Sequence, residues 1–132
     1  MYMGSHPMKP MNALRHYAAV DTGSRIEGAT PHQLVRILFD ELILALDTAA
    51  LALKNGDRHK CLDRQTRALA VLHALESCLE FERGGYFATS LATIYREARR
   101  RTLQATAAND PSMMETARGF IAEIADAWKQ IG

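Results

Sequence analysis

The 132-residue chain is 48% hydrophobic and 23% charged, with four Pro, the make-up of one globular domain that can build a core without disulfides or a structural metal. Disorder and a disulfide scaffold are excluded as the main description. Sixteen Lys and Arg against fifteen Asp and Glu leave a net charge of +1, so no overall field points to nucleic acid or an anionic membrane.

The first residues, Met1 to Met8, lack a basic stretch followed by an apolar one, which argues against a secretory signal. Gly4-Ser5-His6 reads as a tag remnant. Met11 to Ala19 has the spacing of a short helix (Met11, Leu14, Ala18), and Asp21 to Ala29, with Gly23, Ser24 and Gly28, reads as a flexible link. Residues 1–29 are therefore expected to form a mobile arm with a short helix, and residues 30–132 the folded body.

Thr30-Pro31-His32-Gln33 is a helix start. Thr30 can cap, Pro31 needs no amide partner at the first helical position, and Gln33 can reach back to the cap. The helix should run to Asn55 and stop at Gly56, with Leu34, Leu38, Leu42, Ala45, Ala49 and Ala52 on one stripe, widened by Ile37, Leu44 and Leu53. Its longest apolar stretch, Leu42 to Leu53, is interrupted by Asp47 and reaches only about 18 Å, short of a hydrocarbon core of about 30 Å, so no membrane insertion is expected.

Asp57 can cap a second helix through about Phe81, with Leu62, Leu69, Leu72, Leu75 and Leu79 on one side and Arg58, Arg64, Arg67 and Glu76 on the other. Gly84-Gly85 breaks the pattern. A third helix, about Tyr86 to Ala107, carries Ala88, Leu91, Ile94, Tyr95, Ala98 and Leu103. Asn109-Asp110-Pro111 opens a fourth, in which Met114, Ala117, Ile121, Ile124, Ala125, Trp128 and Ile131 keep the spacing. No run alternates with a period of two, so no strand is predicted. The fold class is all-α: an antiparallel four-helix bundle, because short connections make neighbours antiparallel and the stripes can be buried only against one another.

Catalytic signatures are missing. There is no glycine-rich phosphate loop and no nucleophile elbow, and the double glycine follows a helix rather than a strand. A di-iron bundle wants repeated Glu-x-x-His; His73 and Glu76 stand in the reverse order and occur once. His59, Cys61, Asp63 and His73 are the residues from which a metal-binding or redox bundle would have to be built, and they supply no complete ligand set. Cys61 and Cys78 lack Cys-x-x-Cys spacing and read as reduced helix residues. Arg96, Arg99, Arg100 and Arg101 form one basic cluster without aromatic stacking platforms, better suited to a solvated face or an acidic protein segment than to nucleic acid. The expectation is a protein that is not an enzyme and holds no cofactor.

The first long helix is apolar on more than one side: Ile37, Leu38, Phe39, Leu42, Ile43, Leu44 and Leu46 spread beyond a narrow stripe. A second apolar face needs cover. The N-terminal arm, another subunit in a homodimer, or a foreign peptide could supply it.

Several of these residues, in order, resemble the flagellar secretion chaperone family FliS. The resemblance rests on Tyr17 and Val20, then Ala29-Thr30-Pro31-His32-Gln33-Leu34 and Ile37-Leu38-Phe39-Asp40-Glu41, then Gly84-Gly85 with Ala88, Leu91 and Ile94-Tyr95, and finally Ala127-Trp128-Lys129-Gln130-Ile131. Glu41 stands where the family has glycine, Phe39 where it has tyrosine, and Arg96-Glu97-Ala98 where it often continues Asp-Tyr-Met. The resemblance implies a cytoplasmic, ATP-independent export chaperone. Such a protein binds the disordered C-terminal segment of flagellin, prevents premature polymerisation and helps deliver it to the flagellar type III export apparatus, where an export-gate component is a further partner. The expected groove contacts are Leu38, Phe39, Leu42, Leu91 and Tyr95, with Asp40 as a polar orienting residue and Tyr17 on the arm.

Overall fold

Two turns of the same design set the hairpins of this fold. In a computed structural model that describes residues 28–79 and 85–131, four helices follow in order: α1 (Pro31–Lys54), α2 (Arg58–Cys78), α3 (Gly85–Ala108) and α4 (Pro111–Ile131). At the end of α1, Gly56 takes φ +73°, its N–H donates to the Leu53 carbonyl, and the Asp57 N–H donates to the Ala52 carbonyl at 2.9 Å. At the end of α3, Asn109 takes φ +56°, donates to Thr106, and is followed by Asp110 donating to Ala105 at 2.9 Å. Both are left-handed helix stops that satisfy the last free carbonyls. In each, the next residue is an aspartate that starts the following helix. Asp57 accepts from the Lys60 N–H, and Asp110 accepts from the Ser112 N–H and hydroxyl.

The start of α1 is the expected reciprocal cap: the Gln33 N–H donates to Thr30 Oγ1 at 3.1 Å and the Thr30 N–H donates to Gln33 Oε1 at 2.8 Å. The ends of α1 and α4 match the sequence expectation closely. Helix α2 closes at Cys78, with Leu79 as its cap; Phe81, its expected end, lies outside the described residues, and α3 already begins at Gly85. The expected short helix at Met11–Ala19, and residues 1–27 of the arm, lie outside the described residues.

The bundle is antiparallel, with each helix packed against its sequence neighbours and α1 closing the ring against α4. Three contacts fix the direction of the α1–α4 pair: His32 with Trp128, Asp47 with Arg118, and Lys54 with Glu115. Among the described residues there is no strand, and no helix is long and apolar enough to cross a membrane.

The width of the apolar face on α1 has an internal explanation. This helix packs against both α2 and α4 and buries twelve side chains, among them Leu34, Leu38, Phe39, Leu42 and Leu46. Two neighbours demand two apolar sides, so most of the second face is covered by the bundle itself rather than by a subunit or a peptide. Leu44 and Leu51 remain 55% and 57% exposed. Three other stripe residues also differ from expectation. Leu62, Leu103 and Ile131 are exposed, because a helix on the rim of a four-membered ring buries an arc narrower than the one their spacing suggests.

Candidate functional site

One end of the bundle gathers the start of α1, the end of α2, the early part of α3 and the end of α4. The Thr30–Pro31 cap fixes the direction in which α1 leaves this end, and two residues later His32 stacks flat on Trp128 of α4, centroids 4.5 Å apart and planes 10° apart. The indole N–H donates to the His32 carbonyl at 3.0 Å. That carbonyl belongs to the helix ladder and carries a second lone pair, so the bond ties α4 to α1 without disturbing either helix. Phe39 meets the same indole edge-on at 6.3 Å. His32 Nε2 is buried and has no hydrogen-bond partner.

Beneath this aromatic cap lies a crevice lined by Val35, Phe39, Leu75, Cys78, Leu79, Leu91, Tyr95 and Trp128. Its free space is about 10 Å³, at the lower limit for one water. The lining is apolar and comes from all four helices. It offers no acid–base pair and no nucleophile in a frame, so its chemistry is that of taking up apolar side chains. The sequence stretches outside the described residues, 1–27, 80–84 and Gly132, all adjoin this end of the bundle.

The structure brings together three of the expected contact residues here: Phe39, Leu91 and Tyr95, which are 1%, 6% and 2% exposed. Leu38 and Leu42 are fully buried in the central core and support the site from within rather than line it. Asp40 is half-buried on α1. Tyr17 lies outside the described residues. Sequence reasoning did not place Val35, Leu75, Cys78 and Leu79 at the site. Val35 and Cys78 sit at the margins of their stripes, and only the relative rotation of the helices turns them to the crevice.

A second, shallower groove of about 240 Å³ runs between α3 and α4, lined by Thr93, Ile94, Glu97, Phe120, Glu123 and Ile124. Arg101 lies over the Phe120 ring, 5.3 Å from its centroid. On its α3 rim, hydrogen bonds from the Arg100 guanidinium and then from Arg101 hold the Glu97 carboxyl down at about 2. Arg99 turns the other way, to Glu76 on α2, and this pairing raises its already high value. The arginine cluster read from the sequence is thus divided among three tasks, and Arg96 alone of the four is exposed with no partner among the described residues.

The residues of the metal-binding alternative do not meet. Cys61 is fully buried, His59 and His73 are exposed on the surface of α2, and Asp63 is engaged by Arg64. Among the described residues no group of three or more His, Cys, Asp or Glu could hold a metal ion.

Comparison with known proteins gives concordant matches. A family model described as "Flagellar protein FliS" matches residues 13–132. The chain is 37% identical over 125 residues to the flagellar secretion chaperone FliS of Salmonella typhimurium, covering 94% of this chain and 93% of that protein. It is 33% identical over 119 residues to the protein of that name from Vibrio cholerae, covering 90% and 88%. Against the one from Escherichia coli it is 30% identical over 115 residues, covering 86% and 85%.

Proposed function

The chain belongs to the flagellar secretion chaperone family FliS, and from that premise we propose that its client is flagellin, held by its disordered C-terminal segment. The match of the family model over residues 13–132 carries this reading. In it, the protein keeps the client segment from polymerising in the cytoplasm and presents it to the export apparatus, where a gate component takes it over.

The physical chemistry of the crevice supports the reading. An amphipathic client segment gains affinity by placing apolar side chains in an apolar lining. A segment that orders on binding gives back about 2–5 kcal/mol of that gain, which keeps the complex releasable. Phe39, Leu91 and Tyr95 supply the lining, Leu38 and Leu42 hold it from behind, and Asp40 stands beside it as a polar guide. Tyr17 on the arm completes the set. The space now present is too small for a side chain, so uptake requires the end of α2 and the His32–Trp128 cap to move apart.

Trp128 is the sole tryptophan of the chain, which makes the test direct. Titration with the C-terminal portion of flagellin from the same genome should shift its emission as the calorimetric signal saturates. Leu79→Arg, at a partly buried position on the crevice wall, should weaken that binding at least tenfold while helicity is retained. Saturable binding with an unmoved tryptophan signal and unchanged affinity in Leu79→Arg would place the client elsewhere on the bundle.

A further inference from the structure

The cap over the crevice is closed by a residue that keeps an unmet polar atom. His32 is half-buried as a whole, but its Nε2 is fully covered and has no hydrogen-bond partner among the described residues. Buried polar atoms of folded proteins are nearly always paired, so an orphan of this kind asks for a reason. The other two rings of the cap cannot supply a partner. The one N–H of the Trp128 indole is spent on the His32 carbonyl, and Phe39, which meets that indole edge-on, has no polar side-chain atom.

Position ties this atom to the crevice. His32, Val35 and Phe39 follow one another on α1 at spacings of three and four, and so lie on one side of that helix. Val35 and Phe39 line the crevice, which puts His32 one turn nearer the helix start, at the mouth. Its ring covers Trp128, itself a lining residue. A side chain entering beneath the cap must first part this stack, and the imidazole is then the first polar group it meets.

We propose that His32 is a client-recognition residue: when the cap opens, Nε2 takes a hydrogen bond to an uncharged polar group, amide or hydroxyl, of the entering segment. This rests on the reading of the crevice as the client site. The bound state then satisfies an atom that the free state strands, so the stack is closed by a residue that gains a partner on leaving it. A neutral imidazole donates from one nitrogen and accepts at the other, and its tautomer can follow the partner. The lining specifies that the partner is uncharged. Among the described residues it holds no Asp, Glu, Lys or Arg, and a charge brought there would lose more in desolvation than one hydrogen bond returns. An apolar lining accepts many side chains of suitable size, and one placed polar contact fixes which stretch of the segment stops there.

Three measurements on the full chain test this, with the C-terminal flagellin segment as the probe. His32→Phe keeps a flat ring on Trp128 and removes Nε2. It should raise the denaturant midpoint of the free protein and yet weaken binding of the segment about tenfold, opposite signs that a merely structural ring does not give. His32→Gln, whose amide nitrogen reaches near the place of Nε2, should bind within about threefold of the wild type. In the wild type, the imidazole nitrogen NMR signals of His32 should move at saturation to those of one tautomer with a hydrogen-bonded Nε2. Unchanged affinity in His32→Phe, an equal loss in His32→Gln and His32→Phe, or imidazole signals unmoved in the complex overturns the proposal. A wild type that fails to bind the segment at all brings down the client reading and this inference with it, whereas binding that survives His32→Phe unaltered removes this inference alone.

Discussion

Glu97 is gripped by two arginines of its own helix, at i+3 and i+4, and their hydrogen bonds pull its titration down. Its folded value, about 2, lies below the ordinary 4.5. The folded state therefore binds this proton less readily than the unfolded chain, and the ionised pair contributes stability above about pH 4.5 that is lost as pH falls toward 2. Glu97→Gln should flatten the part of the acid-unfolding curve between pH 4.5 and 2 and leave the curve above pH 5 parallel to that of the wild type, as followed by helicity against pH. The effect is small because the group is solvated. The residues that make up this grip were visible in the sequence as a basic cluster, but their division was not. Spacing puts Arg96, Arg99 and Arg100 on one face, and only the position of α2 decides that Arg99 leaves it for Glu76. The same limit hid Arg67, placed by spacing on the side of α2 away from the leucines, which reaches Glu41 across the α1–α2 interface at 3.0 Å.

At the scale of the helices, starts and stops were the most legible features, because capping depends on a few adjacent residues. Thr30, Pro31 and Gln33 form the box that their order implies, and Gly56 ends α1 through the left-handed conformation that glycine enters at no steric cost. Asn109 occupies the equivalent position after α3 with a side chain that tolerates it less well. Asn109→Gly should raise stability by up to about 1 kcal/mol, measured by urea unfolding with an unchanged slope. Gly56→Ala should lower it by about 1 kcal/mol, although an added Cβ there meets nothing within 4 Å. Less legible was the third helix. Its Thr102 and Thr106 are buried, which apolar spacing cannot reveal. They are tolerated because Thr102 donates to the Ala98 carbonyl and Thr106 to Gln65 of α2, so no hydroxyl is stranded.

Across the whole molecule, the four stripes predicted a bundle, and the bundle then decided which side chains a site could use. Leu38 and Leu42 looked like groove contacts because α1 is wide in its apolar content; the ring closure against α4 puts them in the interior. Leu46→Ala and Leu44→Ala separate the two faces of that helix. The first, at a fully buried position, should cost about 2–5 kcal/mol, and the second, at an exposed one, no more than about 0.5 kcal/mol, both read from denaturant midpoints. Phe39, Leu91 and Tyr95 entered through the resemblance to the family, and the course of α1 and α3 brings them to one crevice. The aromatic cap was not, because the His32–Trp128 stack joins residues 96 apart in sequence.

The ring in which each helix touches the next has a kinetic corollary. Most native pairings join segments adjacent in the chain, and proteins built that way reach their folded form in microseconds to milliseconds. A ribosome adds about 5–20 residues per second, so this protein is ready for service long before any polypeptide it escorts has left the exit tunnel. Supply is then limited by how many copies are made, not by how soon each one matures.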